Sequence, residues 1–146
     1  MLHIINCYAP NTITDKIRFF ETLQQEVQRL DSDNIIVVGD FNVVLDNPTD
    51  NIAGKPHQAR ETDALRETNA ILDLYDPWRT LNPLEKQHTW SRSNPFTART
   101  LDYIFCGARA LANTKDTKIE TFPHSDHKIV HTTIKTNRRT VHFNFV

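Results

Sequence analysis

The sequence predicts an α/β layered domain on a mixed sheet, and two patterns predict it. A strand, a long amphipathic helix and a second strand fall within the first 38 residues. That is a βαβ unit, whose strands run parallel with a right-handed crossover. From residue 88 onward, four short strand-like runs follow with no helix between them, the pattern of antiparallel pairing. At 146 residues the chain has room for one domain of ordinary size and not for two.

Taken in order, Leu2–Cys7 (LHIINC) reads as a buried strand closed by Tyr8-Ala9-Pro10-Asn11. Thr12 or Thr14 then caps a helix. Its apolar positions Ile13, Ile17, Phe20, Leu23, Val27 and Leu30 keep the three-to-four spacing of one helical face. Asp31-Ser32-Asp33 breaks that helix, and Asn34–Val38 (NIIVV) is a β-branched run suited to a strand buried on both faces. Residues 39–60 are polar and hold Pro48, Gly54 and Pro56, so they read as a long loop. Glu61–Asp73 reads as a second helix through Leu65, Ile71 and Leu72. Pro77 and Pro83 bracket a short turn of helix or loop. His88–Ser91, Thr100–Cys106, Lys118–Phe122 and Ile129–Lys135 are the four short strands. The closing VHFNFV looks like a strand cut off midway.

Composition excludes several classes. Apolar residues make up 38%, below the roughly 45–50% of globular chains with glycine counted, so the core is lean. No apolar run approaches the roughly 18 residues of a membrane span, and MLHIINCYAP lacks the long apolar region of a secretory signal. Cys7 and Cys106 form neither a disulfide framework nor a zinc motif. They read as two reduced core thiols of a cytosolic or nuclear protein. The net charge of −1 is split: residues 1–85 balance to −7 and residues 86–146 to +6. A basic C-terminal part suits a polyanion, and equally describes a solvated face.

Four places carry candidate chemistry. Strand NIIVV runs into Gly39-Asp40-Phe41-Asn42, where ligand sites of parallel sheets lie. In extended backbone Asp40 and Asn42 leave the same face. A carboxylate there takes a proton from water or faces a metal, and an amide donates to a phosphoryl oxygen. The same tetrapeptide also reads as an ordinary turn. Ser125-Asp126-His127 opens a strand and suits proton transfer or metal binding, or is simply a polar turn. Asp102 stands inside the apolar run Thr100-Leu101-Asp102-Tyr103-Ile104-Phe105. If buried it needs a partner, and a histidine is the natural one; otherwise it lies on the open face of an edge strand. Tyr8, at the end of the first strand, would sit beside Asp40 and hydrogen-bond a phosphate or act as an acid, or serve only in packing. Thr89, in Thr89-Trp90, is a further phosphate contact, and Arg92 and Arg99 flank a polar loop within reach of a nucleic-acid backbone. His3, His57, His88, His124, His131 and His142 lack metal-ligand spacing and read as surface or core histidines.

In order, YAPN, GDFN, Thr89-Trp90, LDYIF and SDH resemble the endonuclease/exonuclease/phosphatase superfamily, and within it the apurinic-type endonuclease domain of LINE-like non-LTR retrotransposons. The resemblance covers essentially the whole chain. It implies the C-terminal half of a DNase I-like four-layer α/β sandwich, with a mixed sheet and helices on one face. It implies hydrolysis of a DNA phosphodiester by Mg²⁺, with Mn²⁺ a substitute. Asp40 would generate or orient the attacking water, and Asn42 and Tyr8 would hold the scissile phosphate. His127 would stabilise charge or shuttle a proton, with Asp102 orienting it, and Asp126 would belong to the metal shell.

The resemblance also implies what lies outside the match. Residues 1–137 would be a partial domain lacking an N-terminal half that carries a metal-binding Glu, and residues 138–146 would open a C-terminal extension toward a reverse transcriptase. Catalysis would then be impaired, and an apolar sheet face would be exposed for the other half or for self-association. The parent would be intracellular, in the nucleus, with DNA as partner and no membrane. The rival readings are a phosphatase or lipid phosphodiesterase of the same superfamily, and a non-catalytic nucleic-acid-binding remnant.

Overall fold

The structure, a computed structural model, describes residues 1–56, 58–135 and 140–145. It opens with the expected βαβ unit. Strand β1 (His3–Tyr8) and strand β2 (Ile35–Asp40) pair in parallel, from His3 opposite Ile35 to Tyr8 opposite Asp40. Helix α1 (Ile13–Gln28) makes the crossover, and the Thr12 hydroxyl caps it by accepting from the Asp15 amide. Its face buries Phe20, Leu23 and Val27, and also Lys16. Gly39 is required where β2 passes β1, because a Cβ there would lie 1.9 Å from the Cys7 carbonyl oxygen.

The stretch after β2 is less of a loop than its composition suggests. Helix α2 (Asn47–Asp50) and strand β3 (Asn51–Ile52) fall inside it. Helix α3 (Ala59–Ile71) starts and ends two residues before the expected bounds, and Asp73 in left-handed backbone (φ 52°) turns the chain out of it. Strand β4 (Leu74–Tyr75) and helix α4 (Pro77–Leu81) follow. Strands β5 (Trp90–Ser93) and β6 (Phe96–Arg99) form a hairpin about Asn94-Pro95, and β3 pairs with the far side of β6. The expected strand at 88–91 thus begins two residues later, and β6 was hidden by the polar turn beside it. Strand β7 (Asp102–Gly107), helix α5 (Ala108–Ala112), and strands β8 (Thr114–Thr121), β9 (Lys128–Lys135) and β10 (Thr140–Phe145) complete the described chain. The C-terminal VHFNF is therefore a strand paired with β9. The expected boundary at 137/138 and His57 lie outside the described residues.

The main sheet has the order β1-β2-β7-β4, parallel only between β1 and β2, so it is mixed as expected. A second sheet, β10-β9-β8, is antiparallel throughout. Every residue of β2 and β7 is buried because each alternates between two cores. Ile35, Val37, Tyr103 and Phe105 meet Phe20, Leu23, Val27 and Leu65 of α1 and α3. Ile36, Val38, Ile104 and Cys106 meet Val130 and Ile134 of β9. The long helices thus cover one face and the second sheet the other. Along the edge strand β1, Ile4 is 54% and Tyr8 67% exposed. No helix among the described residues is long and apolar enough to cross a membrane.

Candidate active site

The site grows from one register row. Tyr8 lies opposite Asp40, and Asp40 lies opposite Asp102, so β1, β2 and β7 each contribute one residue to the same end of the sheet and the same face. The row is fixed from behind by Phe41. It is fully buried, stacks edge-on to Phe105 with ring centroids 4.9 Å apart, and donates its amide to the Leu101 carbonyl. With Phe41 anchored, Asp40 and Asn42 on either side of it have little freedom.

Asn42 corrects a sequence expectation. Its backbone is left-handed (φ 51°), so the argument that Asp40 and Asn42 share a face of extended chain does not apply. The turn instead bends the Asn42 amide back to donate to Asp40 Oδ1 at 2.8 Å, while its Nδ2 donates to the Ala9 carbonyl at 2.8 Å. Asparagine tolerates this conformation better than most residues.

Asp102 is buried, its carboxylate fully shielded from solvent, and it has the histidine partner that burial demands. His127 Nδ1 lies 2.9 Å from Oδ2 and 3.1 Å from Oδ1. The pairing crosses from the second sheet to the first. It raises the His127 pKa above its ordinary value, chiefly through this hydrogen bond and against the opposing effect of burial. Asp40 is raised too, first by burial, then by the Asp102 charge, while the Asn42 amide, His127 and Lys16 hold it down. Among the described residues, Asp40, Asp102 and His127 form the group whose ligand atoms, within 4.8 Å of one another, could hold a metal ion.

The surroundings explain how His127 reaches Asp102. Lys128 donates its amide to the Thr89 carbonyl, Ser91 donates to the Asp126 carbonyl, and the Ser125 hydroxyl accepts the His127 amide. The SDH turn is thereby stitched to the start of β5. Asp126 stands outside the three-residue group: its Oδ2 accepts from Trp90 Nε1 at 2.8 Å. Thr89 was expected to touch phosphate, but it is fully buried. Its hydroxyl accepts the Leu101 and Asp102 amides at 2.9 and 3.1 Å, so it fixes the backbone that carries Asp102. Arg92 lies on β5 opposite Thr97. Arg99 donates to the Lys55 carbonyl and lines a cleft of about 340 Å³ with Asn11, Lys16, Asn42, Lys55 and Glu61.

Sequence reasoning missed the Lys16–Glu61 ion pair, buried on both sides, and the Arg79–Asp50 pair under α4. The first had a signal. Lys16 sits between Ile13 and Phe20 on the apolar stripe of the helix, where a lysine needs a buried partner.

Comparison with known proteins identifies the family and the fold. Residues 2–131 match the family described as endonuclease-reverse transcriptase. The chain is 31% identical over 131 residues to the Transposon TX1 uncharacterized 149 kDa protein of Xenopus laevis, covering 88% of this chain and 10% of that one. An AP endonuclease from Archaeoglobus fulgidus superposes with a TM-score of 0.80 at 19% identity. The 3′-5′ exonuclease NExo from Neisseria meningitidis superposes with a TM-score of 0.74, also at 19% identity. Each of these two structures shares its fold over 91% of this chain, which spans 61% of theirs. Matched by the family model over most of its length and by a transposon relative at this identity, the chain belongs to the endonuclease-reverse transcriptase family, on a DNase I-like fold.

Proposed function

We propose that this chain carries the site of a Mg²⁺-dependent DNA endonuclease that nicks one strand, the activity of a retrotransposon-type protein. The observation that carries the reading is the row Tyr8–Asp40–Asp102 with His127 locked onto Asp102. A proton acceptor, a phenol donor and an oriented imidazole converge at one sheet end, the set that phosphodiester hydrolysis needs.

The donor set fits a hard divalent cation. Asp40 and Asp102 bring carboxylate oxygens close together, and the Asp102 charge helps to raise Asp40, a repulsion that a cation relieves. Asp40 would hold the ion. Asp126, whose carboxylate Trp90 holds through Oδ2, would complete the metal shell. When bound, Mg²⁺ (or Mn²⁺) supplies charge stabilisation to the phosphate.

The chain's own residues do the rest. Asp40, aimed by the Asn42 amide, orients the attacking water and takes its proton. The water oxygen bonds to phosphorus as the bond from phosphorus to the 3′ oxygen breaks, leaving a 3′-hydroxyl and a 5′-phosphate. Tyr8 and the second amide hydrogen of Asn42 donate to the scissile phosphate. Asp102 holds Nδ1, so His127 presents Nε2, and the raised imidazole meets the developing charge or returns the proton. Arg92 and Arg99 face the DNA backbone.

A protein-nicked plasmid tests this. A DNA polymerase should extend the nick without prior phosphatase treatment. Ends blocked by a 3′-phosphate would overturn the assigned chemistry. Salt-dependent DNA binding with no cleavage would replace this reading with a nucleic-acid-binding one. Turnover confined to 3′-phosphorylated DNA would favour a phosphatase, since a Neisseria NExo structure of this fold is described as a 3′ phosphatase bound to product DNA hairpin. In the parent protein, we place the nick in the nucleus, where a reverse transcriptase would extend it.

A further inference from the structure

We infer that Lys16 is a positioning residue for the Asp40 carboxylate, acting through the backbone of Asn42. The inference rests on the nuclease reading for its kinetic consequence and on geometry for its substance. Lys16 is 4% exposed, and its Nζ donates to the Asn42 carbonyl and to Glu61 Oε2, both at 2.6 Å. It comes from α1 and Glu61 from α3, so the ammonium ties both long helices to the turn that follows β2.

A structural account alone explains this arrangement poorly. A buried ion pair is no better for stability than apolar residues of the same volume, and the stripe around Lys16 is otherwise apolar. What the lysine gains is a grip on one carbonyl. Asn42 is held at φ 51°, a conformation that relaxes unless the surroundings fix it. Its amide donates to Asp40 Oδ1, so rotation of Asn42 removes the bond that aims the carboxylate. Phe41 pins the turn on the core side and the Asn42 side chain pins it to Ala9. Lys16 supplies the third point, on the carbonyl, and Glu61 keeps the ammonium from swinging into the adjoining cleft.

The test compares the wild-type chain with Lys16→Arg and with the charge-neutral double variant Lys16→Met/Glu61→Gln, which leaves no charge of the pair unbalanced. Three readouts are taken: thermal melting, amide hydrogen exchange, and steady-state nicking. The double variant should keep the exchange protection of Val37 and Phe105. Its Asn42 amide should lose protection by about tenfold, the order of one net hydrogen bond. Its kcat should fall about tenfold or more with KM nearly unchanged, the mark of lost positioning rather than lost binding. Lys16→Arg keeps a charged donor and should recover most of the Asn42 protection. Wild-type Asn42 protection in the double variant would overturn the inference, as would loss of that protection in a folded Lys16→Arg chain. A wild-type chain that does not nick would count against the nuclease reading alone, because Asn42 exchange decides the role of Lys16 without turnover.

Discussion

Asp102 grips His127 Nδ1 with both carboxylate oxygens, at 2.9 and 3.1 Å, across the gap between the two sheets. The pair raises the histidine above its ordinary 6.5, against the opposing effect of burial. In EDTA, NMR titration should therefore find the His127 imidazole above 6.5. Asp102→Asn should lower it, because the largest raising interaction is lost while burial still opposes the remaining Asp40 and Asp126 charges. The linkage to stability has a definite sign. Because the folded value exceeds the unfolded one, this stabilisation is complete below 6.5 and is lost as pH rises through the raised folded value. The denaturation midpoint of wild type over His127→Gln should shrink across that window. A gap that widens with pH would contradict the pairing.

Tyr8 separates function from packing. It is 67% exposed at the end of an edge strand, so its hydroxyl contributes nothing to the core. Tyr8→Phe should change stability by less than about 0.5 kcal/mol and reduce nicking about tenfold or more, as loss of a donor to a charged phosphate does. Unchanged nicking would return Tyr8 to a packing role.

Thr89 should behave in the opposite way. Its buried hydroxyl accepts two amides of the strand that carries Asp102. Thr89→Val keeps the volume but strands both donors, which should cost about 1–3 kcal/mol and displace Asp102. Thr89→Ser should recover most of that loss. Urea denaturation of the two variants checks the ordering.

These two residues show what was legible in the sequence and what was not. The βαβ unit could be read because α1 repeats every three to four residues and β2 is uniformly β-branched. A βαβ unit makes its two strands neighbours, which puts Tyr8 beside Asp40. Asp102 and His127 were legible as chemistry, because an acid in an apolar strand demands a partner. The conformation of Asn42 was not, because an i, i+2 argument presupposes extended backbone and the turn is left-handed. The burial of Thr89 was hidden for a related reason: a hydroxyl that serves backbone amides looks, in sequence, like one that serves phosphate. Of the hairpin, β5 was legible two residues early, whereas β6 escaped because it is short and follows a polar turn.

Trp90 gives a prediction about the metal. Its indole N–H holds Asp126, which we propose for the metal shell, and partners of a metal ligand commonly govern affinity by about 10–100-fold. Trp90→Phe should weaken Mn²⁺ binding, followed by water proton relaxation, by about that factor while leaving the fold intact. Full retention of affinity would remove Asp126 from the metal shell.

The central claim is that the sheet end around Asp40 and His127 is a hydrolytic site. Nicking of supercoiled plasmid by the purified chain tests it most directly, with Mg²⁺ or EDTA and with Asp40→Ala and His127→Ala in parallel. The account predicts Mg²⁺-dependent conversion to open circles that EDTA and each substitution abolish. Nicking that survives in both variants, or none above their level with wild type, would contradict it.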